Sequence, residues 1–109
     1  MANSFKLVTD TGVGTSAATI HTGAGSTETT IIGMSVANIH TAQITIDVQL
    51  ENNDGDNIFL VKAAPLPVGS SIIVVGGDQK VVMNASDVLK VTSSVASSAD
   101  VALSILEIT

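Results

Sequence analysis

Asn52, Asp54 and Asp56 place three side-chain oxygens on alternate residues, an arrangement that calcium chemistry could use. An EF-hand loop needs further ligands at fixed spacing and a closing bidentate Glu, and none follows. Asp54-Gly55 at the tip of a β-hairpin accounts for the same residues with fewer requirements, because Gly supplies the positive φ of a tight turn. His21 and His40 are separated by a glycine-rich stretch and a strand-like run, without the spacing or third ligand that zinc needs. The serines sit in small polar loops, and none lies in a G-x-S-x-G elbow. Gly12-Val13-Gly14 lacks the third glycine and the following helix of a dinucleotide fingerprint. The chain has no cysteine, which excludes disulfides, thiolate metal sites and cysteine nucleophiles. No cofactor is implied, and nothing in the chain reads as a reacting centre.

What these residues sit on is clearer than what they could do. In Thr41–Ala64, Ile44, Ile46, Val48 and Leu50 alternate with Gln43, Thr45, Asp47, Gln49 and Glu51. That period of two is a strand with one face in a core and one in water. The polar run Asn52–Asn57 turns the chain, and Ile58-Phe59-Leu60-Val61 resumes an extended pattern. Gln43–Val61 therefore reads as one long hairpin.

Further strands are expected at Ser4–Thr9, Thr29–Asn38, Ser70–Val75, Lys80–Met83, Val88–Thr92 and Val101–Ile108. Gly33 suggests a bulge or a close backbone approach in the second of these. Pro65 and Pro67 are expected to close the sheet segment that follows the hairpin. No ten-residue stretch has helical periodicity, and strands every 8–12 residues or so follow the rhythm of a sandwich or barrel. The expectation is an all-β fold: an antiparallel β-sandwich of eight or nine strands, immunoglobulin-like or jelly-roll. Residues 29–109 make the sandwich domain and residues 1–28 an N-terminal strand or arm region. There, either Thr15–His21 forms an edge-like strand of the sandwich or the whole stretch is an arm settling on a neighbouring subunit.

Composition narrows the partners. Ten acidic residues against four lysines and no arginine give a net charge of −6, the wrong sign for phosphate contacts. Aromatic residues are only 2% of the chain, so stacking platforms for bases or sugars are lacking. No nucleic-acid partner is expected. No apolar run is long enough for a membrane helix, and MANSFKLVTD lacks the pattern of a secretory signal. No membrane partner is expected either, and the product reads as one made and assembled in a cytosol.

The chain is 45% hydrophobic, yet its core must be built almost wholly from aliphatic side chains. Strict alternation fails at Thr30–Ile32, Ile72–Val75 and Ile105–Ile108, where both faces carry apolar residues. Strands apolar on both faces must be covered on both. Ile31, Ile32, Ile72, Ile73, Val74, Val75, Leu106 and Ile108 are therefore the candidate subunit contacts, and a homo-oligomer is expected.

The segment Phe59–Thr109 resembles small virion structural proteins of tailed bacteriophages, notably phages of marine cyanobacteria. The shared pattern is a strand ending in lysine (Ile58–Lys62), a proline-bearing turn (Pro65–Gly69) and a hydrophobic strand (Ser70–Val75). A Gly/Lys turn (Gly76–Lys80), a strand (Val81–Met83), a corner (Asn84–Asp87) and a final strand ending in L-E-I (Val101–Ile108) follow. Ile31–His40 matches the same group's strand running into an Ala-Asn corner. Ala85-Ser86-Asp87 departs from the Gly-Asp corner that is more usual there. The resemblance covers roughly residues 29–109. It implies a β-sandwich present in many copies on a phage particle, as a capsid decoration or cement protein or as a neck, tail, baseplate or fibre accessory module. The partners it implies are the major capsid protein or neck and tail proteins, and the location the virion, assembled in the host cytoplasm. A sandwich that is stabilised by docking suits the cement role best.

Overall fold

Alternation at Ile44–Leu50 becomes the most regular strand of a computed structural model that describes residues 3–53, 55–76 and 80–108. The described residues form nine strands: β1 (Asn3–Val13), β2 (Ala18–Thr22), β3 (Glu28–Asn38), β4 (Ile44–Glu51), β5 (Asn57–Leu66), β6 (Ser71–Val75), β7 (Val81–Met83), β8 (Val88–Ser93) and β9 (Ala99–Ile108). They build two antiparallel sheets. One has the order β1-β9-β3-β6, with β7 also on β3; the other has the order β2-β8-β4-β5.

The pairing is that of one long hairpin rolled up. The first strand pairs with the last, β2 with β8, β3 with β6 and β7, and β4 with β5. Rolling then brings β3 against β9 and β4 against β8. This is a jelly roll, which settles the choice between the two sandwich topologies.

Residues 1–28 supply β1 and β2, one edge strand for each sheet, both paired within the same chain. β1 is longer than the expected Ser4–Thr9. Pro65 does not end the sheet but lies inside β5, opposite Thr45. It is tolerated because β5 is an edge strand, where a missing N–H need not cost a ladder bond.

Side chains from both sheets interdigitate in a wholly aliphatic interior. Ile31, Met34 and Val36 of β3 and Leu103 and Ile105 of β9 meet Ile44, Ile46 and Val48 of β4 and Leu89 and Val91 of β8. Both phenylalanines are outside it.

Buried polar groups tie the ends. Asn38, in the Ala-Asn corner after β3, donates from Nδ2 to the carbonyls of Ala42 (3.0 Å) and Leu66 (2.8 Å), and its Oδ1 accepts from His40 N–H (2.7 Å). At the other end Asp87 is buried, and its carboxylate accepts the N–H groups of Asn53 and Asn84, each at 2.9 Å. Its carbonyl takes the N–H of Gly23 at 2.8 Å. One residue thus holds the β2–β3, β4–β5 and β7–β8 connections together. Ser86 beside it adopts φ 70°, the left-handed conformation that a glycine would take without strain.

Three substitutions test this cluster. Asp87→Ala removes the charged acceptor of two part-buried N–H groups and is expected to cost about 1–3 kcal/mol in urea unfolding. Gly23→Ala would set a Cβ 2.3 Å from the Asn84 carbonyl oxygen and should also destabilise, whereas Ser86→Gly should be neutral or stabilising.

Candidate assembly surface

The residues that could have done chemistry are not brought together. Asn52 and Asp56 flank the β4–β5 turn, where Asn52 N–H donates to the Asp56 carbonyl (2.7 Å) and Gly55 N–H to the Asn52 carbonyl (3.0 Å). Gly55 has φ 102°, as a tight turn requires. Asp54 lies outside the described residues. Among those described, no three His, Asp or Glu side chains gather as a metal site.

A small polar group does sit between the sheets near one end. Glu107 of β9 points inward and is ion-paired with Lys6 of β1 at 2.6 Å. His21 Nε2 of β2 stands 3.9 Å from the other carboxylate oxygen, beyond hydrogen-bond reach. Among the described residues neither that nitrogen nor Thr29 Oγ1, directly across from Glu107, has a hydrogen-bond partner.

The distinctive surface is the outer face of the five-stranded sheet. Directly opposed residues share a face, and the register lines up Phe5, Leu106, Thr30 and Val82 across β1, β9, β3 and β7. A neighbouring row runs Leu7, Ser104, Gly33, and the next runs Thr9, Ala102, Ser35, Ile73. Large apolar groups here are in water: Phe5 is 77% exposed, Leu7 67%, Ile73 73% and Val82 54%. Between them a shallow groove is floored by Gly33, Ser35, Ala102 and Ser104 and walled by Ile73. Among the described paired positions, the charged residues of this face are Glu28 and Asp100, at its two ends.

The opposite sheet presents a different exterior. Asp47, Gln49 and Glu51 of β4 alternate outward, with Lys90 paired to Glu51, Lys62 3.5 Å from Asp47, and the Lys62 ammonium 4.5 Å above the Phe59 ring. One exterior is charged and hydrated; the other is apolar and almost uncharged.

The sequence-based contact candidates divide accordingly. Ile31 and Val75 are fully buried in the chain's own core and cannot touch a neighbour. Ile72, opposite Val36, also faces inward and is partly buried. Ile32 and Val74 are extra residues at β-bulges, where the register shifts between Ile31 and Gly33 and between Met34 and Ser35. A bulge puts an unpaired residue into a strand, so consecutive apolar residues there do not require two covered faces. Ile73, Leu106 and Ile108 do lie on the outer face. Phe5, Leu7 and Val82 are the members that the reading of broken alternation missed. Their strands alternate normally, and only the inward turn of Glu107 and its partner Lys6 shows which side of β1 and β9 is outside.

No family model matches the chain, and no curated protein matches it. Among solved structures, the fold is similar to a protein of Bacillus endospore appendages, described as a novel family of disulfide-linked pili. The likeness has a TM-score of 0.55 at 15% identity and covers 99% of this chain and 87% of that one. It supports the all-β sandwich.

The division of apolar residues is directly measurable. Ile73→Ser should leave unfolding free energy within about 0.5 kcal/mol, because the side chain is already in water. Ile31→Ala, an equally apolar neighbour in sequence pattern, should cost about 2–5 kcal/mol through an internal cavity.

Proposed function

We propose that this chain is a non-enzymatic structural protein of a bacteriophage virion, a capsid decoration or cement subunit that stabilises the particle through many repeated contacts. The observation that carries the reading is the apolar, nearly uncharged outer face of the five-stranded sheet on a molecule of net charge −6. Exposed apolar patches of this kind mark places where another molecule docks. The resemblance of Ile31–His40 and Phe59–Thr109 to phage virion proteins supplies the setting, and jelly rolls are a recurrent architecture of viral capsid proteins. The partners are further copies of the chain and the major capsid protein. Many such contacts, each weak, hold together through multivalency. Ile73, Leu106 and Ile108 keep their assignment as contacts, joined by Phe5, Leu7 and Val82. Asn52, Asp54 and Asp56 are assigned to the turn and not to calcium.

A second reading, a neck, tail or fibre module, is favoured by the likeness to an appendage protein. Any filament built from this chain is held without disulfides of the kind named for that neighbour, since it has no cysteine.

Quantitative mass spectrometry of gradient-purified particles decides. Peptides of this chain at a copy number comparable to that of the major capsid protein are the expected result. A copy number of a few per particle would favour the neck, tail or fibre reading. Absence from washed particles, with the chain present in the infected lysate, would remove both.

A further inference from the structure

We infer that β1 is the element through which two copies of this chain join, edge to edge, into a two-fold dimer with one continuous sheet. The inference deepens the structural reading and rests on it only in taking the chain to act as repeated copies.

A sandwich leaves open sheet edges, and proteins blunt them with prolines, bulges, lysines or very short strands. Here the edges are treated unequally. β5 carries Pro65, two register shifts, Lys62 and a left-handed Ala63 (φ 51°) whose N–H is taken by Asp47 Oδ1 at 2.7 Å. β6 has five residues and a register shift, and β7 only three. β2 has five residues, also with a shift. β1 has none of these devices over its first part. Its register with β9 runs unbroken from Asn3↔Ile108 to Asp10↔Val101, and the first irregularity comes only after Asp10. Its one lysine, Lys6, is drawn to Glu107. That pairing only partly offsets its charge, because the Lys6 side chain stays 56% exposed at the edge.

Among the described residues β1 pairs with β9 alone. An edge strand presents a row of outward N–H and C=O groups on which a second strand can pair. Phe5 and Leu7 stand exposed on this same segment. Because the other edges are blunted, the partner that fits is β1 of a second copy, and a patch pairing with itself gives a closed two-fold dimer.

The charges select the register. Setting Lys6 opposite Lys6 is unfavourable, whereas setting Lys6 opposite Asp10 of the second copy pairs opposite charges twice. That register places Val8 opposite Val8 and Leu7 opposite Thr9 of the second copy. It also joins the two apolar outer faces side by side.

The natural absence of cysteine makes the test clean. In the full-length chain, Val8→Cys should form a covalent dimer on mild oxidation, because opposed strand residues lie about 4.5–5.5 Å apart at Cα, within disulfide reach. Ser71→Cys, exposed on the edge strand β6, should not. By sedimentation equilibrium the unmodified chain should dimerise. Phe5→Lys/Leu7→Lys, both at exposed positions, should weaken the dimer at least about tenfold with circular dichroism and melting unchanged. A chain monomeric up to about 1 mM, equal cross-linking through Ser71→Cys, or a dimer indifferent to the two lysines would overturn the inference. A monomeric chain that is nevertheless abundant in particles would reject this joint and keep the structural role. A β1-linked dimer absent from particles would do the reverse.

Discussion

The constraint on which the structure depends is an interior filled without a single aromatic ring. Two sheets must be held at packing distance, about 10 Å, by Ile, Val, Leu, Met and Ala alone. Branched aliphatic side chains are stiff and occupy few rotamers, so they fill such a layer densely. They reach only halfway across it, which is why both sheets must contribute at every level. The regular alternation of β3, β4, β8 and β9 follows from that demand. Polar residues that turn inward, Thr29, Asn38, Asp87, Ser93, Ser98 and Glu107, sit toward the ends of strands and in the connections. There Asn38 and Asp87 fasten connections, and Glu107 is ion-paired with Lys6 on the neighbouring strand of its own sheet.

With the interior aliphatic, the two phenylalanines become surface residues with different settings. Phe59 lies beneath the Lys62 ammonium on a hydrated exterior. Phe5 has apolar neighbours on its own face, Leu106 across from it and Leu7 along its strand. Four of the eight large apolar side chains exposed among the described residues, Phe5, Leu7, Ile73 and Val82, share this one face, and the unblunted edge of β1 borders it. Face and edge therefore belong to a single region of the molecule.

Much of the fold was legible in the sequence because its strands obey a period of two. Val48 and Leu103 could be assigned to the core from alternation alone, Gly33 lies beside a bulge, and Gly55 lies in the hairpin turn. The hairpin-within-hairpin pairing was not legible, since nothing local says that Phe5 lies opposite Leu106. The contact candidates divide between the core, the bulges and the outer face for one physical reason. Doubled apolar residues at Ile31-Ile32 and Val74-Val75 arise from bulges, and a bulge is defined by its partner strand. β9 was misleading in another way: Glu107 faces in and Leu106 out, the inverse of what hydropathy suggests, because Lys6 compensates the buried carboxylate. Pro65 was read as a terminator because its place on a sheet edge cannot be seen from composition.

Joining the first strand to the last has a consequence for how the molecule is made. Residue 3 finds its ladder partner at residue 108, so β1 emerges from the ribosome long before anything exists for it to pair with. Contacts this distant in sequence form late and slowly. Until β9 has been made, β1 is a greasy ribbon without its ladder partner. Synthesis of β9 is thus the event that fixes β1 as a sheet edge, and chains that lack it have no such rim.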